Sequence, residues 1–286
     1  MSRLSEIIQV TDSFPSPSGV IAEIIEVLGD PKANFQKIAN SISTDPNLSG
    51  KVVGMANSAF YARGSECTTV QNAIMRIGMD SLSGLVLGTF AGQVISNDPE
   101  LETRLKSFWE HSLCVAVLGK SIGARLAIPF ADLGYVAGIL HDIGKMGMFL
   151  VDREKYSQML AESKGSEEEL CRLELAEFGV DHAEAGSYIA TKWKLPAGIQ
   201  AAITYHHTVS QIPKEFSRYA SLIAVTALSN DIAHQIASSL YQTTIVWSPD
   251  PVALDLLGID EPFSAGLIEA HRNLAEKVTS LVSELI

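Results

Sequence analysis

Apolar residues recur at helical spacing through nearly all of this 286-residue chain, and that period limits its fold more than any other feature. Phe35, Ile38, Ala39 and Ile42 fall at i, i+3, i+4 and i+7, which gathers side chains on one face of an α-helix. Val70, Ala73, Ile74 and Ile77 repeat the pattern and run into Gly78, a helix stop. Asp45-Pro46 reads as an N-cap followed by a first-turn proline, whose missing N–H costs nothing there. The helix it opens carries Leu48, Val52 and Val53 inward. Pro15 and Pro17 precede a helix that stops at Gly29, and Ser166 with Glu169 has the spacing of a capping box. Only TTIVW at 243–247 has β character, and it is too short to seed a sheet. The chain is therefore expected to be all-α. The polar break SNDPELE at 96–102 divides it into an N-terminal helical lobe over 1–98 and a longer helical lobe over 99–286.

The charge balance narrows the partners. Lys and Arg number 21 against 33 Asp and Glu, a net charge of −12, which argues against binding nucleic acid or an anionic membrane surface. Cys67, Cys114 and Cys171 form no CxxC pair and no disulfide framework, so a cytoplasmic, reducing location is expected. The first residues, MSRLSEIIQVTD, are charged and polar where a signal peptide needs an apolar stretch. The longest apolar stretches, 84–92 and 133–140, fall far short of the ~20 residues of a membrane span.

Candidate chemistry lies in the histidines. His111, His141, His182, His206 and His207 all belong to the second lobe, each inside or at the start of a helical pattern. His141-Asp142 sits in YVAGILHDIGKMGMF, which reads as one buried helix with polar residues at a single level. A buried Asp142 carboxylate needs a compensating partner, either a metal or a hydrogen-bond network. Adjacent helical residues are roughly 100° apart, so His141 and Asp142 can lean toward one centre. Lys145, four residues after His141, shares its face and could steady an anion such as phosphate. His and Asp from several helices of a bundle are ligand chemistry for zinc, iron, manganese or nickel, and an aspartate can bridge two metals around a nucleophilic water. A His–Asp hydrogen bond with Lys145 at the surface would explain the same residues, and both readings stand. His234 and His271 read as isolated structural histidines. Glu167, Glu168 and Glu169 read as a solvated first turn that suits the helix dipole. Trp193 reads as a core anchor.

The order His111, His141-Asp142, His182, His206-His207 resembles the HD superfamily of metal-dependent phosphohydrolases. The flanking sequence resembles more specifically the HDOD domain, the HD-related output domain of bacterial signalling proteins. The matching segments are Asp45-Pro46-Asn47-Leu48, the run Ala56 to Tyr61, Ala73 to Gly78, Phe108-Trp109-Glu110-His111-Ser112, Gly138 to Gly144, Glu174 ahead of Gly179-Val180-Asp181-His182, and Trp193 to Pro196. The resemblance implies an all-helical fold with a family-specific N-terminal lobe and an HD-like lobe. It also implies a regulatory role exerted on signalling proteins, without an accepted enzymatic activity. His141 to Lys145 also matches the central motif of the HD-GYP branch, the cyclic di-GMP phosphodiesterases. Carried over by position, His111, His141, Asp142, His182, His206 and His207 would be metal ligands, with Lys145 contacting a phosphate-bearing or nucleotide ligand. Two departures weigh against catalysis. Thr208-Val209-Ser210-Gln211 follows His207 in place of the Gly-Tyr-Pro segment, and Asn230 stands where the superfamily has its closing aspartate, with Asp231 next to it. The expectation is a regulatory module with a degenerate metal centre; the alternative is a metal-dependent phosphohydrolase in which Lys145 balances phosphate charge.

Overall fold

Side-chain caps set several helix starts. Asp45 accepts from the backbone N–H groups of Asn47 and Leu48, Thr69 from that of Asn72, and Ser166 from that of Glu169. Each cap satisfies a donor that the first helical turn leaves without an intrahelical partner. Only half of the expected capping box forms at Ser166. Its own N–H donates to the Ser163 carbonyl, and the Glu169 carboxylate pairs with Arg172.

The computed structural model describes residues 3–13, 17, 19–29, 35–62, 64–93, 99–241 and 249–285. In chain order the helices are α1 (Arg3–Ser13), α2 (Val20–Gly29), α3 (Phe35–Ser43), α4 (Pro46–Asn57), α5 (Val70–Ile77), α6 (Met79–Gln93), α7 (Pro99–Arg125), α8 (Gly134–Leu140) and α9 (Ile143–Val151). They continue as α10 (Arg153–Glu162), α11 (Glu167–Phe178), α12 (His182–Lys192), α13 (Ala197–Tyr205), α14 (Ala220–Tyr241), α15 (Pro251–Leu257), α16 (Glu261–Ala270) and α17 (Leu274–Leu285). No strand occurs among the described residues, so the all-α expectation holds. The β-like segment 243–247, Pro15 and residues 96–98 of the expected lobe boundary lie outside the described residues, while 99–102 open α7. No helix among the described residues is long and apolar enough to cross a membrane.

The long α7 is the spine, packed by α8, α14 and α17, while α12 packs against α9 and α13. One continuous core runs from Ile24 on α2 through Ile74, Leu87, Leu118 and Ile203 to Val282 on α17. Trp193 is buried at the end of α12 against Phe90, as its sequence position predicts. Helix α1 packs against α9, α11 and α12. Its Ile7 is fully buried in a second cluster with Met148, Tyr156, Leu170 and Phe178, a burial worth about 1.5–3 kcal/mol. Arg3 bonds the Asp152 and Glu177 carboxylates at 2.8 Å each and ties the same helix down at its start.

Two glycines allow the close crossings on which the histidines depend. A Cβ at Gly138 would lie 2.4 Å from the Ala116 nitrogen of α7, and one at Gly144 would lie 1.9 Å from the His182 carbonyl oxygen of α12. The segment between them departs from the sequence expectation of one unbroken helix. It turns at His141 and Asp142, with α8 ending at Leu140 and α9 starting at Ile143. The His141 Nδ1–H donates to the Gly138 carbonyl at 2.8 Å, and the Lys145 N–H donates to the Asp142 carbonyl at 2.9 Å, which tightens the turn. Lys145 is consequently paired with Asp142, three residues before it.

Candidate metal centre

The turn at 141–142 delivers two polar side chains into the core, and three other parts of the fold bring histidines to meet them. His111 comes from α7, His182 from the first position of α12, and His206 and His207 from the end of α13. His141, Asp142, His182 and His206 are buried, and His111 and His207 are partly so. The structure thus brings all six residues named from sequence to one centre, with Lys145 at its edge.

Asp142 is the hub. Its Oδ1 lies 3.2 Å from His182 Nε2 and 3.7 Å from His206 Nε2. Its Oδ2 lies 2.7 Å from Lys145 Nζ, 3.3 Å from His141 Nε2 and 3.8 Å from His111 Nε2. Burial works against ionisation of Asp142, but His141 and Lys145 outweigh it and hold the carboxyl well below its usual range. Burial likewise opposes the Lys145 charge, and the Asp142 and Glu167 carboxylates outweigh that, raising the ammonium above its ordinary value. The cation expected to meet phosphate is thus bonded to two carboxylates, Glu167 accepting from it at 2.9 and 3.0 Å.

Outer partners aim the rings. His206 Nδ1–H donates to the Ile203 carbonyl at 2.8 Å, as His141 does to Gly138, so both present Nε2 inward. His182 Nδ1–H donates to Glu174 at 2.7 Å. The same carboxylate accepts from the His182 backbone N–H at 2.9 Å and from the Tyr156 hydroxyl at 2.6 Å. A histidine whose second nitrogen is bonded to a carboxylate or carbonyl is the usual support of a metal-binding imidazole. Burial pushes His111, His206 and His207 below the usual histidine value, which favours the neutral form with a lone pair to offer. His182 goes the other way: burial lowers it, and Glu174 overrides that and raises it well above the usual value.

The donor set fits a metal ion. Asp142, His182, His206 and His207 each offer a ligand atom within 4.8 Å of the others, and His111, His141 and Asp142 form a second such group. Asp142 Oδ1 and His206 Nε2 are buried without a hydrogen-bond partner. His182 Nε2 and His207 Nε2 stand 2.9 Å apart, and two imidazole lone pairs at that distance require a proton or a cation between them.

Two residues read as bystanders belong here. Glu167 is only partly exposed, with its side chain 19% accessible, and it faces Lys145 and His234 in place of solvent. His234 stacks on His111 with ring centroids 4.3 Å apart and lies 3.1 Å from the Glu167 carboxylate. His271 stays apart, bonded to the Leu267 carbonyl and to Ser121. Asn230, and not Asp231, faces His111, whose Nε2–H donates to the Asn230 Oδ1 at 2.9 Å.

Residues 14–209 match the family model of the HDOD domain. An uncharacterized protein of Treponema pallidum (strain Nichols) is 27% identical over 224 residues, covering 77% of this chain and 42% of its own length, so the chain spans less than half of that relative. An HDOD domain protein with unknown function from Geobacter sulfurreducens aligns with a TM-score of 0.75 at 23% identity, over 99% of this chain and 98% of its own. A candidate phosphohydrolase from Shewanella amazonensis SB2B aligns at 0.71 and 24%, with the same coverage. A candidate signal transduction protein from Marinobacter aquaeolei VT8 aligns at 0.76 and 17%, over 99% of this chain and 65% of its own. At these identities the likeness establishes the fold.

Proposed function

The chain belongs to the HDOD family, and from that premise we propose that it is a signalling output module that acts through protein partners, around an HD-like centre that holds a metal ion without hydrolysing phosphoesters. The observation that carries this reading is the state of the phosphate-handling side of the centre. Lys145 is committed to Asp142 and Glu167, and a neutral amide, Asn230, occupies the place beside His111 where a carboxylate would serve a second ion. The net charge of −12 also works against drawing in an anionic substrate.

Asp142, His182, His206 and His207 would hold the metal. A divalent iron, manganese, zinc or nickel ion bound there would supply Lewis acidity and lower the pKa of a coordinated water. The rest of the work belongs to the protein. Glu174 and the Ile203 carbonyl orient two of the imidazoles. No other ammonium or guanidinium among the described residues approaches Asp142 within ion-pair distance, so an incoming phosphate would have to displace a carboxylate from Lys145.

The test is direct. Pure protein loaded with manganese or iron is incubated with cyclic di-GMP and with bis(4-nitrophenyl) phosphate. The expected result is no turnover above the metal-free protein. Metal-dependent hydrolysis that His141→Ala abolishes would overturn this reading in favour of a phosphohydrolase.

A further inference from the structure

Glu167 occupies the first position of α11, directly after its N-cap Ser166. Its neighbours Glu168 and Glu169 point outward, Glu168 into solvent and Glu169 onto Arg172. Glu167 instead reaches the histidines. Its Oε2 lies 3.6 Å from His207 Nε2 and 3.9 Å from His182 Nε2. Donors that share one ion at about 2.0–2.2 Å must lie about 3–4 Å from one another. The accepted candidates obey that spacing: Asp142 Oδ1 to His182 is 3.2 Å, Asp142 Oδ1 to His206 is 3.7 Å, and His182 to His207 is 2.9 Å. Glu167 falls within the same range from His182 and His207, and stands outside the 4.8 Å group that joins those two with Asp142 and His206.

We propose that Glu167 is a further ligand of the same metal as Asp142, His182, His206 and His207, with Lys145 as the cation that positions both carboxylates. The proposal rests on the metal-binding reading above and extends it to a residue outside the histidine motifs. Lys145 takes Asp142 Oδ2 and leaves Oδ1 to the histidines, and it donates to both oxygens of Glu167, of which Oε1 also faces His234 and Oε2 faces His207 and His182. Charge points the same way. Three carboxylates, Asp142, Glu167 and the buried Glu174, gather around the histidines with the Lys145 ammonium among them. A plain Lys145–Glu167 ion pair is the competing explanation, and it makes no demand on the distances to His182 and His207.

Cobalt(II) alone serves as the probe, titrated into chelator-treated protein and followed by calorimetry and by visible absorption. E167Q is expected to bind about 10–100-fold more weakly, at least the loss seen when even an outer partner of a ligand is removed. Its cobalt spectrum is expected to differ from that of the unmodified protein, whereas E168Q should match it in both respects. Equal affinity and an identical spectrum in E167Q would overturn the ligand assignment alone. No cobalt uptake by the unmodified protein would remove the metal reading and the assignment together, so the two failures are distinguishable. Should E167Q fail to fold by circular dichroism, E167D decides. It keeps the charge beside Lys145 but draws the carboxylate back by one methylene, and an unshifted cobalt spectrum in E167D would equally overturn the assignment.

Discussion

Asp142 offers one oxygen to each side of the histidine centre, and the two sides hold different company. On the Oδ2 side stand His141, His111 and Asn230, together with the Lys145 ammonium at 2.7 Å. The His111 Nε2–H already donates to Asn230, so this side is hydrogen-bonded within itself. On the Oδ1 side stand His182, His206 and His207, and two of the buried acceptors there lack any donor. The same residue types therefore build two unequal positions. A histidine count does not reveal the inequality; it follows from where the single lysine sits and from one missing carboxylate. A cation at the Oδ2 side would face the Lys145 ammonium on that same oxygen, whereas Asp142 Oδ1 and His206 Nε2 are buried without a hydrogen-bond partner.

The sharpest way to break this comparison is to remove one imidazole from each side. His206→Ala is expected to abolish stable metal uptake, a loss beyond the ~10–100-fold range of outer-partner changes. His111→Ala is expected to leave affinity within a few-fold of the unmodified protein. Elemental analysis after desalting, and the rise in melting temperature on adding metal, both read the outcome. Similar losses in the two variants would mean that the sides are equivalent.

The next test tries to repair the weaker side. Asn230→Asp restores a carboxylate beside His111, but Lys145 remains on Asp142 Oδ2. The single variant is expected to keep one metal equivalent. Asn230→Asp combined with Lys145→Met is expected to take a second, and to melt well below the parent protein when metal-free, because Asp142 and Glu167 then lose their shared cation. A second equivalent in Asn230→Asp alone would show that the missing carboxylate, and not the lysine, separates the two sides.

Much of this arrangement could be read from the chain before its fold was known, and the part that could not has a physical reason. Val70, Ala73, Ile74 and Ile77 gave the α5 face because local period alone buries them, and Asp45 gave the start of α4 because a cap acts within three residues. The histidines of the centre were legible as a set of motifs in order. Glu167 and His234 were not, because each reaches the centre only where α11 and α14 meet it, and nothing next to them in sequence marks that meeting. The turn at 141–142 was hidden by apolar residues on both sides that continue one helical period. A usable signal was present in Gly138 and Gly144, which flank His141-Asp142 and mark close helix crossings at both ends of the turn.

The smallest expected effect tests the support behind the Oδ1 side. The Tyr156 hydroxyl donates to Glu174 Oε1, while Glu174 Oε2 accepts both bonds from His182. Tyr156→Phe keeps the ring in its cluster with Met148 and Phe178 and removes only the hydroxyl. One buried carboxylate oxygen is then left without its donor, at a cost of about 1–3 kcal/mol in a urea melt of the metal-free protein. No ligand is lost, so the cobalt spectrum should stay as in the parent while affinity falls by about tenfold, the low end for an outer partner. That pattern separates it from His206→Ala, which removes a donor atom outright. A destabilised protein with unchanged cobalt affinity would mean that the two bonds from His182 hold Glu174 in place unaided, and that the Oδ1 side owes its order to the crossing at Gly144 more than to the tyrosine behind it.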